Sequence, residues 1–130
     1  MKTNPIILHI EDNFDNRILV RRLLHSVYYQ VIEAENASQA ITLLHKYTPD
    51  LILMDINLPG VDGYTFTEKL KSFPRIRNIP IIAITANAMR GDREKTIRAG
   101  CDGYIEKPID IDHFIDHINR YLINHHAANN

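Results

Sequence analysis

The stretch Leu51-Ile52-Leu53-Met54-Asp55 decides the fold, because it places four consecutive apolar residues directly before a carboxylate. A strand with one solvated face alternates apolar and polar residues, and this stretch does not alternate. Unbroken apolar runs of this length are typical of parallel strands that helices cover on both faces. The stretch therefore predicts a buried parallel strand that ends at Asp55.

Four similar short runs lie along the chain, and segments with helical periodicity separate them. The predicted strands, in chain order, are Ile6–Ile10, Gln30–Ala34, Leu51–Met54, Ile81–Thr85 and Gly103–Glu106. Strands that alternate with helices in this way form units with right-handed crossovers. We therefore predict a doubly wound, three-layer α/β domain. The pattern by itself leaves the strand order open.

Apolar residues spaced by three and four positions mark the helices. The markers are Phe14, Ile18, Leu19 and Leu23 in the first helix, Ala37, Ala40, Ile41 and Leu44 in the second, Phe66 and Leu70 in the third, and Ile111, Phe114, Ile115, Ile118 and Leu122 in the last. Asp110 is expected to cap the last helix, and Gly100 to end the helix before it.

Composition limits the classes of function. The chain has 130 residues, enough for one domain, and 15 basic against 16 acidic side chains give a formal net charge of −1. Nucleic acid binding would need a basic excess on one face, so this near-neutral balance argues against a nucleic-acid-binding protein. Cys101 is the only cysteine, which excludes an internal disulfide, and no apolar run is long enough for a signal peptide or a membrane span. We expect a cytoplasmic domain over residues 1–124, followed by a polar tail over residues 125–130.

Polar residues follow the predicted strands at their carboxyl ends. Glu11 and Asp12 come after the first strand, Asp55 and Thr85 end the third and fourth, and Lys107 follows the fifth. Doubly wound sheets bind their ligands at this edge. We therefore expect these five side chains to form one site.

Charge predicts the chemistry of that site. Two carboxylates about 4 Å apart repel by about 4 kcal/mol at an effective dielectric of about 20, so three need protonation or a cation. Oxygen ligands favour a hard ion such as Mg²⁺, which prefers one or two carboxylates plus a phosphate oxygen. Asp55 could then attack phosphorus to form an acyl phosphate, with Mg²⁺ and Lys107 stabilising the transferring group. The Thr85 hydroxyl could donate to a phosphate oxygen.

Four pieces of sequence, in this order and at these spacings, resemble the receiver domain of two-component response regulators. They are Glu11-Asp12-Asn13, Leu51–Asp55 with Leu58–Gly63, Ile84-Thr85-Ala86, and Tyr104–Pro108. The resemblance covers about Ile6 to Leu122. It implies a flavodoxin-like fold, with a five-stranded parallel sheet in the order 2-1-3-4-5 flanked by five helices.

The resemblance also implies a role for each site residue. Asp55 is the expected phosphoacceptor and, with Lys107 and Thr85, forms the catalytic group. The expected Mg²⁺ ligands are Glu11, Asp12, Asp55 and the backbone carbonyl of Asn57. Thr85 and Tyr104 are expected to form the switch, and Asn57 and Asn87 to tune the hydrolysis rate. The expected phosphate-binding residues are Asn57, Thr85, Ala86 and Lys107. The bond before Pro108 is expected to be cis.

Partners follow from the same resemblance. A histidine kinase or a histidine phosphotransfer protein is expected to donate the phosphoryl group. A downstream protein is expected to bind the face formed by the fourth helix, fifth strand and fifth helix, and neither nucleic acid nor a membrane is expected to bind. The chain is expected to be a monomer or a weak dimer. The sequence Glu11-Asp12-Asn13, followed by Asn16, resembles receivers of phosphorelays and small cell-cycle regulators. A receiver that was excised from a hybrid kinase or a longer regulator is an alternative that the sequence does not exclude.

Two other classes of function remain as alternatives. A phosphatase with an aspartyl nucleophile commonly has a second carboxylate two residues later, where this chain has Asn57. A nucleotide-binding module needs a glycine-rich turn after the first strand, whereas Glu11–Asp15 is acidic and would repel a pyrophosphate.

Three other features are given structural interpretations. His9, within a buried strand, is expected to be a hydrogen-bonded core histidine. Cys101 is expected to be a small packing residue. Arg17, Arg21 and Arg22 are expected to form a solvated basic stripe on the first helix.

Overall fold

The computed structural model describes residues 4–86, 91 and 93–129, and it contains one sheet of five parallel strands. The strands are β1 Ile6–Ile10, β2 Gln30–Ala34, β3 Leu51–Asp55, β4 Ile81–Thr85 and β5 Gly103–Glu106. Their order is β2-β1-β3-β4-β5. The predicted fold class, strands and order are confirmed, and β3 includes Asp55 itself.

In the part of the chain that the structure describes, five helices connect and cover the strands. They are α1 Phe14–His25, α2 Ala37–Lys46, α3 Gly63–Lys71, α4 Arg93–Ala99 and α5 Phe114–Asn129. The first three begin directly after Asn13, Asn36 and Asp62, whose side chains accept hydrogen bonds from backbone N–H groups of the first turn. Gly100, with φ +95°, follows α4 as predicted.

Two apolar layers enclose the sheet, and they explain why the central strands do not alternate. Ile7, Leu51 and Leu53 pack with residues of α1 and α5 on one face. Leu8 and Ile52, their immediate neighbours in sequence, pack with residues of α2 and α3 on the other. Since both faces are dry, every position of such a strand gains from an apolar side chain.

The buried face of α1 differs from the predicted one. The buried residues are Arg17, Val20 and Leu24, whereas Phe14 is 60% exposed. Leu23 of the predicted stripe is partly buried against the core, but the deepest apolar burial is at Val20 and Leu24, each one residue beyond a predicted marker. The buried face was not recognisable as an apolar pattern because it includes Arg17, whose guanidinium donates to carbonyls of the loop that precedes the helix.

The start of α5 also differs from prediction. The helix begins at Phe114, and Asp110 does not cap it; the Asp110 carboxylate instead accepts from the Asp112 N–H and lies 2.7 Å from His113 Nδ1. Ile111 is therefore 57% exposed rather than part of the core. The helical backbone continues to Asn129, through most of the segment predicted as a polar tail. Among the described residues, no helix has the length and apolar character needed to cross a bilayer.

Two buried polar residues in the core have contrasting environments. Cys101 packs partly buried against the α2–α3 layer, and burial raises the pKa of its thiol to about 11. His9 is fully buried, and neither ring nitrogen has a hydrogen-bond partner among the described residues. Burial lowers the pKa of His9 to about 4, so the ring is neutral at pH 7. The predicted hydrogen bond of His9 is wrong.

Candidate functional site

Three carboxylates meet where β1 and β3 end side by side. One oxygen from each of Glu11, Asp12 and Asp55 lies within 4.8 Å of the others. Glu11 and Asp55 are only 1% and 2% exposed, whereas Asp12 is exposed. The cluster therefore has a buried floor and one side open to solvent.

Lys107 supplies a cation to this cluster. Its Nζ lies 3.4 Å from Glu11 Oε1 and 3.5 Å from Asp55 Oδ1. The Lys107 N–H donates to the carbonyl of Thr85 at 2.8 Å, which joins the loop after β5 to the end of β4. The bond between Lys107 and Pro108 is cis, as predicted.

The electrostatics of the cluster leave one charge poorly compensated. Burial and, secondly, the neighbouring Asp55 raise the pKa of Glu11 to about 7, against the opposing effect of Lys107. One ammonium group therefore does not balance the acids, and the pair retains part of a proton at neutral pH. A divalent cation would displace that proton and allow both carboxylates to ionise.

The donor set fits Mg²⁺. It consists of carboxylate oxygens alone, two of them buried, and the exposed side leaves room for the waters that this ion retains. No sulfur or imidazole ligand belongs to this cluster of described residues. Glu11, Asp12 and Asp55 are thus the side chains that would hold the ion.

The loop after β3 is fixed close to Asp55. The Asn57 N–H donates to Asp55 Oδ1 at 3.1 Å, and the Gly63 N–H donates to the carbonyl of Ile56 at 3.1 Å. A Cβ atom at Gly63 would lie 2.6 Å from the Cα of Ile56, a clash with backbone that cannot rotate away. Glycine at this position therefore lets α3 begin against the residue that follows Asp55.

The remaining predicted residues lie at the same edge of the sheet or beside it. Thr85 ends β4 and is 1% exposed, one position beyond the residue that pairs with Asp55. Ala86 is exposed next to it, and Tyr104 on β5 is half-buried against the α2–α3 layer. Asn87 lies outside the described residues.

Arg17 is a site residue that the sequence interpretation placed wrongly in a solvated stripe. It is 7% exposed, and its Nη1 donates to the carbonyls of Glu11 at 2.9 Å and Asp12 at 3.0 Å. Its Nη2 donates to Glu35 Oε1 at 3.1 Å. Arg17 thereby fixes the backbone that carries two of the three acids. Its spacing of three and seven from Val20 and Leu24 was the available signal.

The other two arginines of the predicted stripe differ from Arg17. Arg21 forms two hydrogen bonds to the Glu33 carboxylate, at 2.6 and 2.9 Å, and Arg22 is exposed. Only Arg17 contacts the loop of the acidic cluster.

Comparison with known proteins identifies this arrangement. The family model described as the response regulator receiver domain matches residues 7–119. The chain belongs to the response regulator receiver family. It is therefore a receiver domain of two-component signalling, and the predicted family is confirmed.

Individual relatives agree with this assignment. The receiver domain is 44% identical over 116 residues to the polar-differentiation response regulator DivK of Brucella anthropi, covering 89% of this chain and 94% of that protein. The receiver domain of the sensor histidine kinase PA1611 of Pseudomonas aeruginosa PAO1 is 35% identical, with a TM-score of 0.83 over 92% of this chain and 98% of that one. That crystal structure is described with a magnesium ion coordinated in its active-site cleft.

A more distant neighbour supports the fold alone. The chemotaxis response regulator CheY4 of Vibrio cholerae has a TM-score of 0.86 at 22% identity, over 92% of this chain and 99% of that one. The receiver fold is thus retained where most of the sequence has changed.

Proposed function

We propose that Asp55 accepts a phosphoryl group from a phosphohistidine in a reaction that requires Mg²⁺. The observation that carries the proposal is the position of Asp55, which is buried beside two other acids and 3.5 Å from the Lys107 ammonium. An Asp55 oxygen forms the new bond to phosphorus while the bond from phosphorus to the donor imidazole breaks. The imidazole nitrogen keeps that electron pair.

Each site residue has a proposed part in this transfer. Glu11, Asp12, Asp55 and the carbonyl of Asn57 would hold Mg²⁺, which would supply positive charge that stabilises the transferring phosphoryl group. Lys107 pairs with one phosphoryl oxygen. Thr85 and the backbone at Asn57 and Ala86 donate hydrogen bonds to the others. The Asn57 N–H already points at Asp55, which favours this arrangement.

The output is a change in a protein-binding face. The phosphoryl group draws Thr85 towards it, and Tyr104 turns into the space that is vacated. This remodels the face of α4, β5 and α5, where a downstream protein binds. The added charge need only favour one of two packings by a few kcal/mol. Water later hydrolyses the acyl phosphate, at a rate set in part by Asn57 and Asn87.

The donor is a histidine kinase or a histidine phosphotransfer protein. The similarity to relatives named polar-differentiation response regulator DivK supports a role as a response regulator for this chain. Labelled phosphate on a histidine phosphotransfer domain is expected to move to the wild-type chain but not to Asp55→Ala.

A small phosphodonor tests the chemistry directly. Incubation with acetyl phosphate and Mg²⁺ is expected to add about 80 Da to the intact protein. Asp55→Ala is expected to show no such gain, and Lys107→Ala a much smaller one. Lys69→Ala, an exposed lysine far from the site, serves as the matched control and is expected to be phosphorylated normally. A mass gain that persists in Asp55→Ala would exclude Asp55 as the acceptor.

A further inference from the structure

A second recess lies at the opposite end of the sheet from Asp55. It is a groove of about 400 Å³ between the C-terminal turns of α2 and α3 and the loop that follows α3. Because these helices run antiparallel to the strands, their C-terminal ends lie at the amino ends of the strands. This α2–α3 groove is therefore remote from the acidic cluster.

The α2–α3 groove is apolar inside. Leu44, Phe66, Leu70 and Ile76, each at most 6% exposed, form its floor. Its walls are Ile41 and Phe73, large apolar side chains that are exposed by 36% and 47%. Small-molecule sites have this volume range and this predominance of apolar lining.

The polar lining of the α2–α3 groove carries one sign of charge. His45, Lys69 and Arg75 line it, and no acidic residue does. Within the described part of the chain, none of the three forms an ion pair. The groove thus combines an apolar floor with an uncompensated cationic rim.

The helix dipoles explain only part of this rim. Lys69 lies in the last turn of α3, where a cation is favourable in any case. Arg75 lies outside both helices. Its Nη2 donates to the carbonyl of Tyr47 at 3.0 Å and lies 3.4 Å from Thr48 Oγ1. Two neutral acceptors therefore hold this guanidinium at the groove, and neither neutralises it.

We propose that the α2–α3 groove binds a small apolar carboxylate. The alkyl or aryl tail lies over the apolar floor, and the carboxylate pairs with Arg75 and Lys69. The charge of the rim selects an anion, and the apolar floor selects a tail. A protein partner fits less well, because a stable interface covers about 800 Å² per side, and the exposed apolar surface at the groove is limited to two walls.

Octanoate is a direct probe, with readouts that need neither Mg²⁺ nor a phosphodonor. Titrated into the isotope-labelled chain at pH 7, it is expected to shift amide resonances of α2, α3 and residues 73–76, with a Kd on the order of 1 mM. Acetate, which has the head but no tail, is expected to shift none of them. Octylammonium, which has the same tail and the opposite charge, is expected to bind at least about tenfold more weakly.

Variants separate the contribution of the rim charges to binding from that of the apolar floor. Arg75→Gln is expected to weaken octanoate binding about tenfold. Lys69→Gln, an exposed change that leaves the fold unaffected, is expected to weaken it severalfold. Arg22→Gln, on the exposed side of α1, is the matched control and is expected to bind octanoate normally.

Three outcomes would overturn the proposal. Equal affinity for octanoate and octylammonium would show that the groove does not select an anion. Unchanged affinity in folded Arg75→Gln and Lys69→Gln would remove the role of the rim. An acidic amphipathic peptide that shifts the same resonances, while octanoate shifts none, would make the groove a protein-docking site instead.

Discussion

At the scale of single residues, Arg17 shows how a side chain outside the acidic cluster can set its geometry. Its guanidinium contacts two backbone carbonyls, those of Glu11 and Asp12, and is itself oriented by Glu35. Groups of this kind, which position metal ligands without touching the metal, commonly change metal affinity by about 10- to 100-fold.

We therefore predict that Arg17→Gln lowers the affinity for Mg²⁺ about tenfold or more. The amide cannot span both carbonyls and Glu35, so the loop carrying the acids becomes less well ordered. Isothermal titration with Mg²⁺ measures the effect, and circular dichroism confirms that the variant is folded. Arg22→Gln is expected to bind Mg²⁺ as the wild type does. Equal affinities for all three proteins would show that Arg17 only supports packing.

His9 is a second residue whose environment yields a prediction. Its ring is fully buried, and in the described part of the chain both nitrogens lack hydrogen-bond partners, so the fold bears the cost of desolvating them. His9→Leu is expected to raise the free energy of unfolding by about 1–2 kcal/mol at pH 7. His9→Gln keeps polar atoms in the same place and is expected to give no gain. Urea denaturation compares the three, and a leucine variant less stable than the wild type would contradict the prediction.

At the scale of elements, the end of α1 carries a local conflict between sequence and backbone. The N–H groups of Tyr28 and Tyr29 bond to the carbonyls of His25 and Leu24, the pattern of a Schellman motif. This motif requires a left-handed residue, and Tyr28 supplies it with φ +65° while its side chain is 81% exposed. Glycine adopts that conformation without the steric cost of a Cβ atom.

Tyr28→Gly is accordingly expected to stabilise the domain by about 0.5–1 kcal/mol. The exposed ring contributes little packing, so its loss does not offset the relief of strain. Tyr28→Ala retains the Cβ atom and is expected to show no comparable gain. A shift of the urea midpoint with an unchanged m-value measures the effect. Equal stabilisation by alanine would mean that the gain comes from removing the ring.

At the scale of the whole molecule, the sequence predicted the strands and the edge of the sheet that carries the site, because both depend on the pattern of whole segments. A run such as Leu51–Asp55 is buried on both faces in any α/β sheet, and polar residues that follow buried parallel strands meet at one edge. Neighbours in the sheet were not deducible from a succession of strands, and the family resemblance supplied their order. Arg17 was misjudged because polarity predicts average exposure, whereas its burial depends on carbonyls that only folding brings to it. The burial of His9 was predicted, but its lack of hydrogen-bond partners depends on which neighbours folding places around the ring.

The acidic cluster should make the stability of the whole domain depend on pH and on Mg²⁺. Because the pKa of Glu11 is raised to about 7 in the folded chain, the folded state binds more protons than the unfolded state between about pH 4.5 and 7. The contribution of Glu11 to stability is therefore full below about pH 4.5 and is lost as the pH rises to 7, whereas His9, whose pKa is lowered to about 4, contributes stability that grows with pH over nearly the same range. Mg²⁺ at about 100 times its Kd opposes this loss by about 2.7 kcal/mol.

Glu11→Gln tests this coupling between site and fold. Without Mg²⁺ at pH 8, the variant is expected to be more stable than the wild type by about 2 kcal/mol, and at pH 5 the two should converge. Saturating Mg²⁺ should stabilise the wild type and have little effect on the variant. Glu68→Gln, an exposed acid on α3, should follow the wild type throughout. If urea denaturation gives Glu11→Gln the same pH profile as the wild type, Glu11 does not have the raised pKa that its burial beside Asp55 implies.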